Sequence, residues 1–337
     1  MSIVDEINRI NGNIANAYNA CNAKGATMPA TQNSGSLAAA IDTIATGGGG
    51  DSSLFARYEI TRYANGVNVA RPINTSGEDF FKNITSVEGF SGWVNNPGGF
   101  AEAFRNCYGL RGSINFCSFN PYSGADDRAF TSAFENCYNA TGEVNFCQMT
   151  RTSNYSFQSA FKNCNRITGA NFAGLQQVWG KSSFANAFAN CSNLSYVKLG
   201  SSFYIGGAAS FSSEGKFAYA FTNCQKLVNV DIHINDIASD YAFYQAFNTC
   251  GMNSVTFDVS SMQANYALQQ CFRNCANLRS LYFSNLSSIY TSSLNNMLYM
   301  CNDVTVHFKN NKESQWNTLD DFVNGFGGTN TTILFDL

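Results

Sequence analysis

The chain has 337 residues, of which only 13% are charged, and 20 basic against 23 acidic side chains leave a net charge of −3. With no basic run anywhere, that balance removes the electrostatic basis for binding nucleic acid or an anionic membrane. No stretch approaches the roughly 18 apolar residues of a membrane span, and the start, MSIVDEINRINGN, lacks the basic and apolar regions of a secretory signal.

Residues 1–46 read as a helical attachment segment. Ile3, Ile7, Ile10, Ile14, Ala17 and Cys21 follow steps of four and three. That is a heptad seam, and isoleucine at both a and d favours three strands. The same spacing serves a lone amphipathic helix packed on the next segment, so homotrimer and packed helix both stand. Gly25 and Pro29 end the helix, and Ser36 can cap a second short one with Leu37, Ile41 and Ile44 inward. A linker, 47–53, opens with Gly47–Gly50 as a flexible joint. Residues 54–99 read as a β-rich cap. There ARYEITRY alternates as a strand does, Asn65-Gly66 signals a hairpin turn, and VNVARPI returns. Phe80, Phe81, Val87 and Phe90 are expected to cover the first repeat.

Between 100 and 312 one unit recurs about eight times, in full form F-x-x-A-F-x-N-C-x-x-L-x-x-V-x-F. Phe184, Ala187, Phe188 and Cys191 stand at i, i+3, i+4 and i+7, one face of a short helix. Leu194, Val197 and Leu199 follow, the last two alternating as in a strand. One such unit cannot close a core, but stacked copies cover one another. The expectation is a solenoid with short helices and one parallel ladder of eight strands. Asn106, Asn136, Asn163, Asn190, Asn223 and Asn274 fall where each helical turn gives way, and their amides can satisfy backbone groups left unpaired there. Longer repeats place insertions at Pro121–Asp127 and Phe203–Gly215, expected as loops. A cap, 313–337, with Trp316, Leu319, Phe322 and TTILFDL, should close the last copy.

Eight of the 12 cysteines occupy one repeat position: Cys107, Cys137, Cys164, Cys191, Cys224, Cys250, Cys275 and Cys301. Equivalent positions in a stack form a buried column, where free cysteine acts as a small apolar side chain. Cys117 and Cys147 each follow a strand in adjacent repeats. A disulfide between them is within reach but strained in geometry, so free thiols are expected there too. No CxxC occurs, which speaks against zinc.

The helix–asparagine–cysteine–leucine–strand pattern resembles the BspA-like leucine-rich repeats, a family found on bacterial surfaces and in some bacteriophages. The segment AYNACNAKGATMPATQNSGSLAAAIDTI (Ala17–Ile44) resembles N-terminal segments of structural proteins of phages that infect Gram-positive bacteria. Together the resemblances imply a virion protein of fibre, receptor-binding or decoration type. Other virion proteins would hold the N-terminal segment, and a host-surface glycan or protein would meet the repeats. The alternative is a bacterial cell-surface adhesin carrying the same repeats.

Catalytic chemistry has little support. The two histidines, His233 and His307, lie in no metal-binding motif, and GxSxG, P-loop and calcium-loop patterns are missing. Asp126-Asp127 and Asp320-Asp321 are poor acid/base pairs, and a depolymerase would need clustered acids. The expectation is a non-enzymatic protein without cofactor or metal. What remains is surface. Each strand turns one residue outward: Asn115, Asn145, Asn171, Lys198, Asp231, Thr256, Tyr282 and His307. The last five vary while the core stays constant, as a contact face would. Tyr204 in the second insertion is a further candidate, and Trp179, Tyr219, Tyr241, Tyr244 and Tyr266 offer aromatic contacts for sugars or proteins.

Overall fold

A computed structural model of the chain describes residues 100–117, 127–207, 209, 211–308 and 325–337, the backbone of 58–62 and 68–72, and residues 14–15 and 17–19. Ile3, Ile7 and Ile10 lie outside the described residues, as do the linker, the rest of both caps and most of the first insertion. Ile14 and its near neighbours are helical, too short a piece to show a seam. The expected hairpin forms, with strand β1 (Tyr58–Arg62) antiparallel to β2 (Asn68–Pro72).

The repeats build a parallel β-solenoid. On its first side lie β3 (Ile114–Asn115), β4 (Gly142–Asn145), β6 (Ile167–Asn171) and β8 (Tyr196–Lys198). There follow β10 (Asn229–Ile237), β11 (Ser254–Met262), β12 (Ser280–Phe283), β14 (Thr305–Phe308) and β15 (Thr332–Leu334). The ladder is not continuous: β8 and β10 share no backbone pairing, and the break falls where the asparagines are 33 residues apart. Within the terminal TTILFDL, Thr332–Leu334 adds a further strand to the ladder, with Val306 opposite Ile333, and the carbonyl of buried Phe326 accepts the Leu298 amide.

A second side was not read from the sequence. It consists of β5 (Arg151–Thr152), β7 (Gln177–Val178), β9 (Phe203–Ile205) and β13 (Ser288–Ile289). The long strands β10 and β11 turn the corner, so that Asp236–Ile237 pairs with β9 and Ser261–Met262 with β13. Phe203–Ile205 is therefore not loop. Phe203 and Ile205 are buried and Tyr204 faces out, so the second insertion begins only after this strand.

The third side corrects the expectation of short helices. Its amides alternate between two kinds of partner. Those of Ala103, Arg105 and Cys107 bond three residues back, to Phe100, Glu102 and Phe104. Those of Phe100, Glu102, Phe104 and Asn106 cross to carbonyls of the next repeat, at Ala129, Thr131, Ala133 and Glu135. Every fourth residue takes positive φ, as at Arg128 (59°), Ser132 (50°) and Asn136 (66°). The chain thus repeats every four residues as linked turns. Over a run of eight, spacing i, i+3, i+4, i+7 fits that period as well as 3.6.

Inside, phenylalanines stack in columns. Phe100, Phe130, Phe157, Phe184, Phe217 and Phe243 have successive centroids 4.9–5.3 Å apart with nearly parallel planes. Phe116, Phe146 and Phe172, from the first side, meet that column edge-on. The column spacing is close to the strand spacing, so one period serves both backbone ladder and ring packing.

The cysteine column is buried, as expected, and also donates. The thiols of Cys164, Cys191, Cys250 and Cys275 lie 3.0–3.1 Å from carbonyls of Phe134, Phe161, Phe221 and Phe247 in the preceding repeat. Burial raises the pKa of Cys191 and Cys250 well above the usual thiol range, of Cys275 to about 12 and of Cys301 to about 11. A raised pKa leaves almost no thiolate at pH 8. Native protein treated with a thiol reagent at pH 8 is expected to leave Cys191, Cys250, Cys275 and Cys301 unlabelled, with Cys301 the first of these four to react as pH rises. Mass spectrometry of digested protein checks this, and rapid labelling of most of the column without unfolding would refute it.

Cys117 and Cys147 are joined by a disulfide, not left as free thiols. Neighbouring repeats in register bring the two Cα atoms to 5.2 Å, inside the usual bridging range.

Candidate binding face

Backbone register aligns most of the outward residues. Asp231 lies opposite Thr256, Thr256 opposite Tyr282, and Tyr282 opposite His307. Lys198 belongs to the other sheet, in a row with Asn171, Asn145 and Asn115. Four of the five candidates thus come together, and Lys198 stands beyond the break. Its ammonium sits 5.6 Å from the ring centre of exposed Tyr196. Asn115 and Asn171 are structural, since each side-chain oxygen accepts an amide two residues on, at Cys117 and Ala173.

Within the row, Thr256, Tyr282 and His307 are half-buried. The Tyr282 and His307 rings stack at 4.4 Å and 11°, and Asp336, just past the last strand, holds His307 Nδ1 at 2.9 Å. The C-terminal residues therefore fix this end of the face, a link between residues 29 apart that no local pattern announces. Two residues along, exposed His233 Nδ1 lies 3.0 Å from Asp258. Burial works to raise the Asp258 pKa, yet hydrogen bonds from His233, Asn285 and Ser284 outweigh it and hold the carboxyl below its ordinary value. Ser284 bonds Asp258 and not the imidazole, so the cluster is not a nucleophile–base–acid relay.

On the third side the repeat asparagines do not serve the backbone as expected. Their amides bond one another: Asn136 to Asn106, Asn163 to Asn136, Asn190 to Asn163 and Asn223 to Asn190, at 2.7–2.8 Å. Thr249 interrupts the ladder, and Asn274 reaches its hydroxyl at 3.3 Å. Tyr219, Tyr241, Tyr244 and Tyr266 form a half-buried cluster on this side. Tyr241 and Tyr266 stack at 5.2 Å, and Tyr219 meets Tyr244 edge-on. Burial and the Tyr244 hydrogen bond push Tyr219 up to about 12. These rings pack largely on one another and present less free aromatic surface than their sequence spacing suggests.

Lys216 is the one wholly buried lysine among the described residues. Burial lowers its pKa to about 8, against the opposite pull of Glu214. Sequence spacing gave no sign of it. No group of three or more metal-ligating side chains occurs among the described residues, and no described helix is long and apolar enough to cross a membrane.

The chain is similar in structure to a leucine rich cell surface protein from Faecalibacterium prausnitzii A2-165. The two share 12% identity, the alignment covers 83% of this chain and 94% of that one, and the TM-score is 0.23, too low to argue from. No curated protein matches the chain. The family model for the BspA type leucine rich repeat region matches in six copies over residues 101–217 and 216–315. That span takes in the asparagine and cysteine columns, the phenylalanine column from Phe130 onward and the rows on both strand-bearing sides. The chain belongs to the BspA-type leucine-rich repeat family.

Proposed function

We propose that this protein is a non-enzymatic adhesin whose solenoid meets a glycan or protein of another cell's surface. The observation that carries the reading is the register. A rigid, closely packed stack holds Asp231, Thr256, Tyr282 and His307 in one row, so their spacing is set before any partner arrives. The BspA-type match over the repeats favours a bacterial surface as the carrier. The virion reading rests on Ala17–Ile44, which lies outside that match. Antibody labelling of intact producing cells separates the two: label on the cell exterior supports the adhesin, and label confined to released particles supports the virion.

The contact face has its own test. Full-length protein is expected to bind cell-surface preparations, and Tyr282→Ala combined with Asp231→Ala should weaken binding by about tenfold, the loss of roughly 1.4 kcal/mol. Thermal stability should change little, since the stacking given up with Tyr282 is worth about 1 kcal/mol. Undiminished binding by the double variant would remove this row from the contact.

A further inference from the structure

We propose that the second side of the stack carries a binding site for a neutral oligosaccharide, built from Arg151, Gln177, Trp179, Tyr204 and Asp236. This deepens the adhesion reading and rests on it, but it concerns a different side from the Tyr282 row. Register places Arg151 opposite Gln177, Gln177 opposite Tyr204, and Tyr204 opposite Asp236. At the usual strand spacing the row runs roughly 14 Å, room for a short chain of sugar rings.

Two aromatic rings stand at its centre. Trp179 follows Gln177 by two residues, and both are exposed while Val178 between them is buried. The indole N–H donates to Gln177 Oε1 at 3.2 Å, which sets the plane of a ring 49% open to solvent. Tyr204 lies against Gly206, where a Cβ would come within 2.2 Å of its Cε1, so any larger residue there would push the ring aside. The two rings meet at 5.4 Å with planes 54° apart, forming a V.

Chemistry selects the occupant. Sugar rings present C–H faces that pack on aromatic rings and hydroxyls that both donate and accept. Gln177, Arg151 and Asp236 supply acceptors and donors beside the V. A nucleic acid would need a basic groove, and a charged polysaccharide a row of one sign. Here Arg151 at one end offsets Asp236 at the other, so the row matches a ligand without net charge. Most phenylalanines of this stack go inward to the columns, whereas Trp179 stays largely open to solvent with half-buried Tyr204 beside it, leaving aromatic surface available to a ligand.

Calorimetric titration of the full chain with neutral hexasaccharides tests the inference. The panel is β-1,4-, α-1,4- and β-1,3-linked glucose and β-1,4-linked N-acetylglucosamine. At least one is expected to bind, to quench tryptophan fluorescence, and to lose about tenfold in affinity with Trp179→Ala. Trp179→Phe should restore most of that loss, and Tyr138→Ala, at an exposed ring away from this row, should leave sugar binding unchanged. Circular dichroism on each variant separates lost contact from lost fold. Adhesion to cells that persists while every sugar fails overturns the oligosaccharide and leaves the adhesin standing. So does capture of an envelope protein that depends on Trp179. Sugar binding without adhesion to any cell would instead remove the adhesin reading and keep the site.

Discussion

Phe157→Ala is expected to destabilise the protein by about 3–5 kcal/mol. The Phe157 ring is wholly buried, stacked on Phe130 at 5.0 Å and Phe184 at 5.1 Å, with Phe146 and Phe172 edge-on at 5.0 and 5.2 Å. Removing it opens a void whose walls belong to three successive repeats. Their backbone ladders resist collapse, because closing the gap would shorten a spacing that cross-repeat hydrogen bonds hold. A stack is only as continuous as its neighbour contacts, so the variant is also expected to unfold in two steps on either side of the defect. Urea unfolding followed by circular dichroism measures both. Phe211→Ala is the control: that ring is 67% exposed, and its loss should cost about 0.5 kcal/mol or less. Equal effects at the two positions would refute the stacked core.

Asn136→Ala should cost about 3 kcal/mol, for two separable reasons. One is the pair of amide bonds, Asn136 to Asn106 at 2.8 Å and Asn163 to Asn136 at 2.7 Å. The other is the backbone at φ 66°, which alanine resists by roughly 1–2 kcal/mol and glycine does not. Asn136→Gly removes the same amide but keeps the conformation, so the expected stability order is asparagine, glycine, alanine. Asn136→Asp separates the bonds further, since a carboxylate can accept from Asn163 but cannot donate to Asn106. Unfolding midpoints of the three variants decide, and an alanine variant as stable as glycine would show that the left-handed turn carries no strain.

Much of the architecture was present in the residue pattern. The recurring phenylalanines and cysteines announced stacked repeats with a buried thiol column, and both are there. Alternation and Asn65-Gly66 announced the hairpin, and strand alternation put Thr256, Tyr282 and His307 outward. These are local signals: a side chain's burial follows from its place in a short period, and the period is written along the chain. Other features depended on residues about 25 to 30 positions away. The backbone of the third side is satisfied by the next repeat as well as by its own turn, so a helix-like spacing became a chain of four-residue turns. The asparagines found one another across the same gap. Register alone brought Cys117 to Cys147, Asp336 to His307, and Trp179 to Tyr204, a tyrosine that sequence placed in a loop and the second ladder made a strand residue. Sequence determined which side chains face inward, because hydrophobic periodicity is local; tertiary structure decided which groups meet, because in a stack every such meeting is made between repeats.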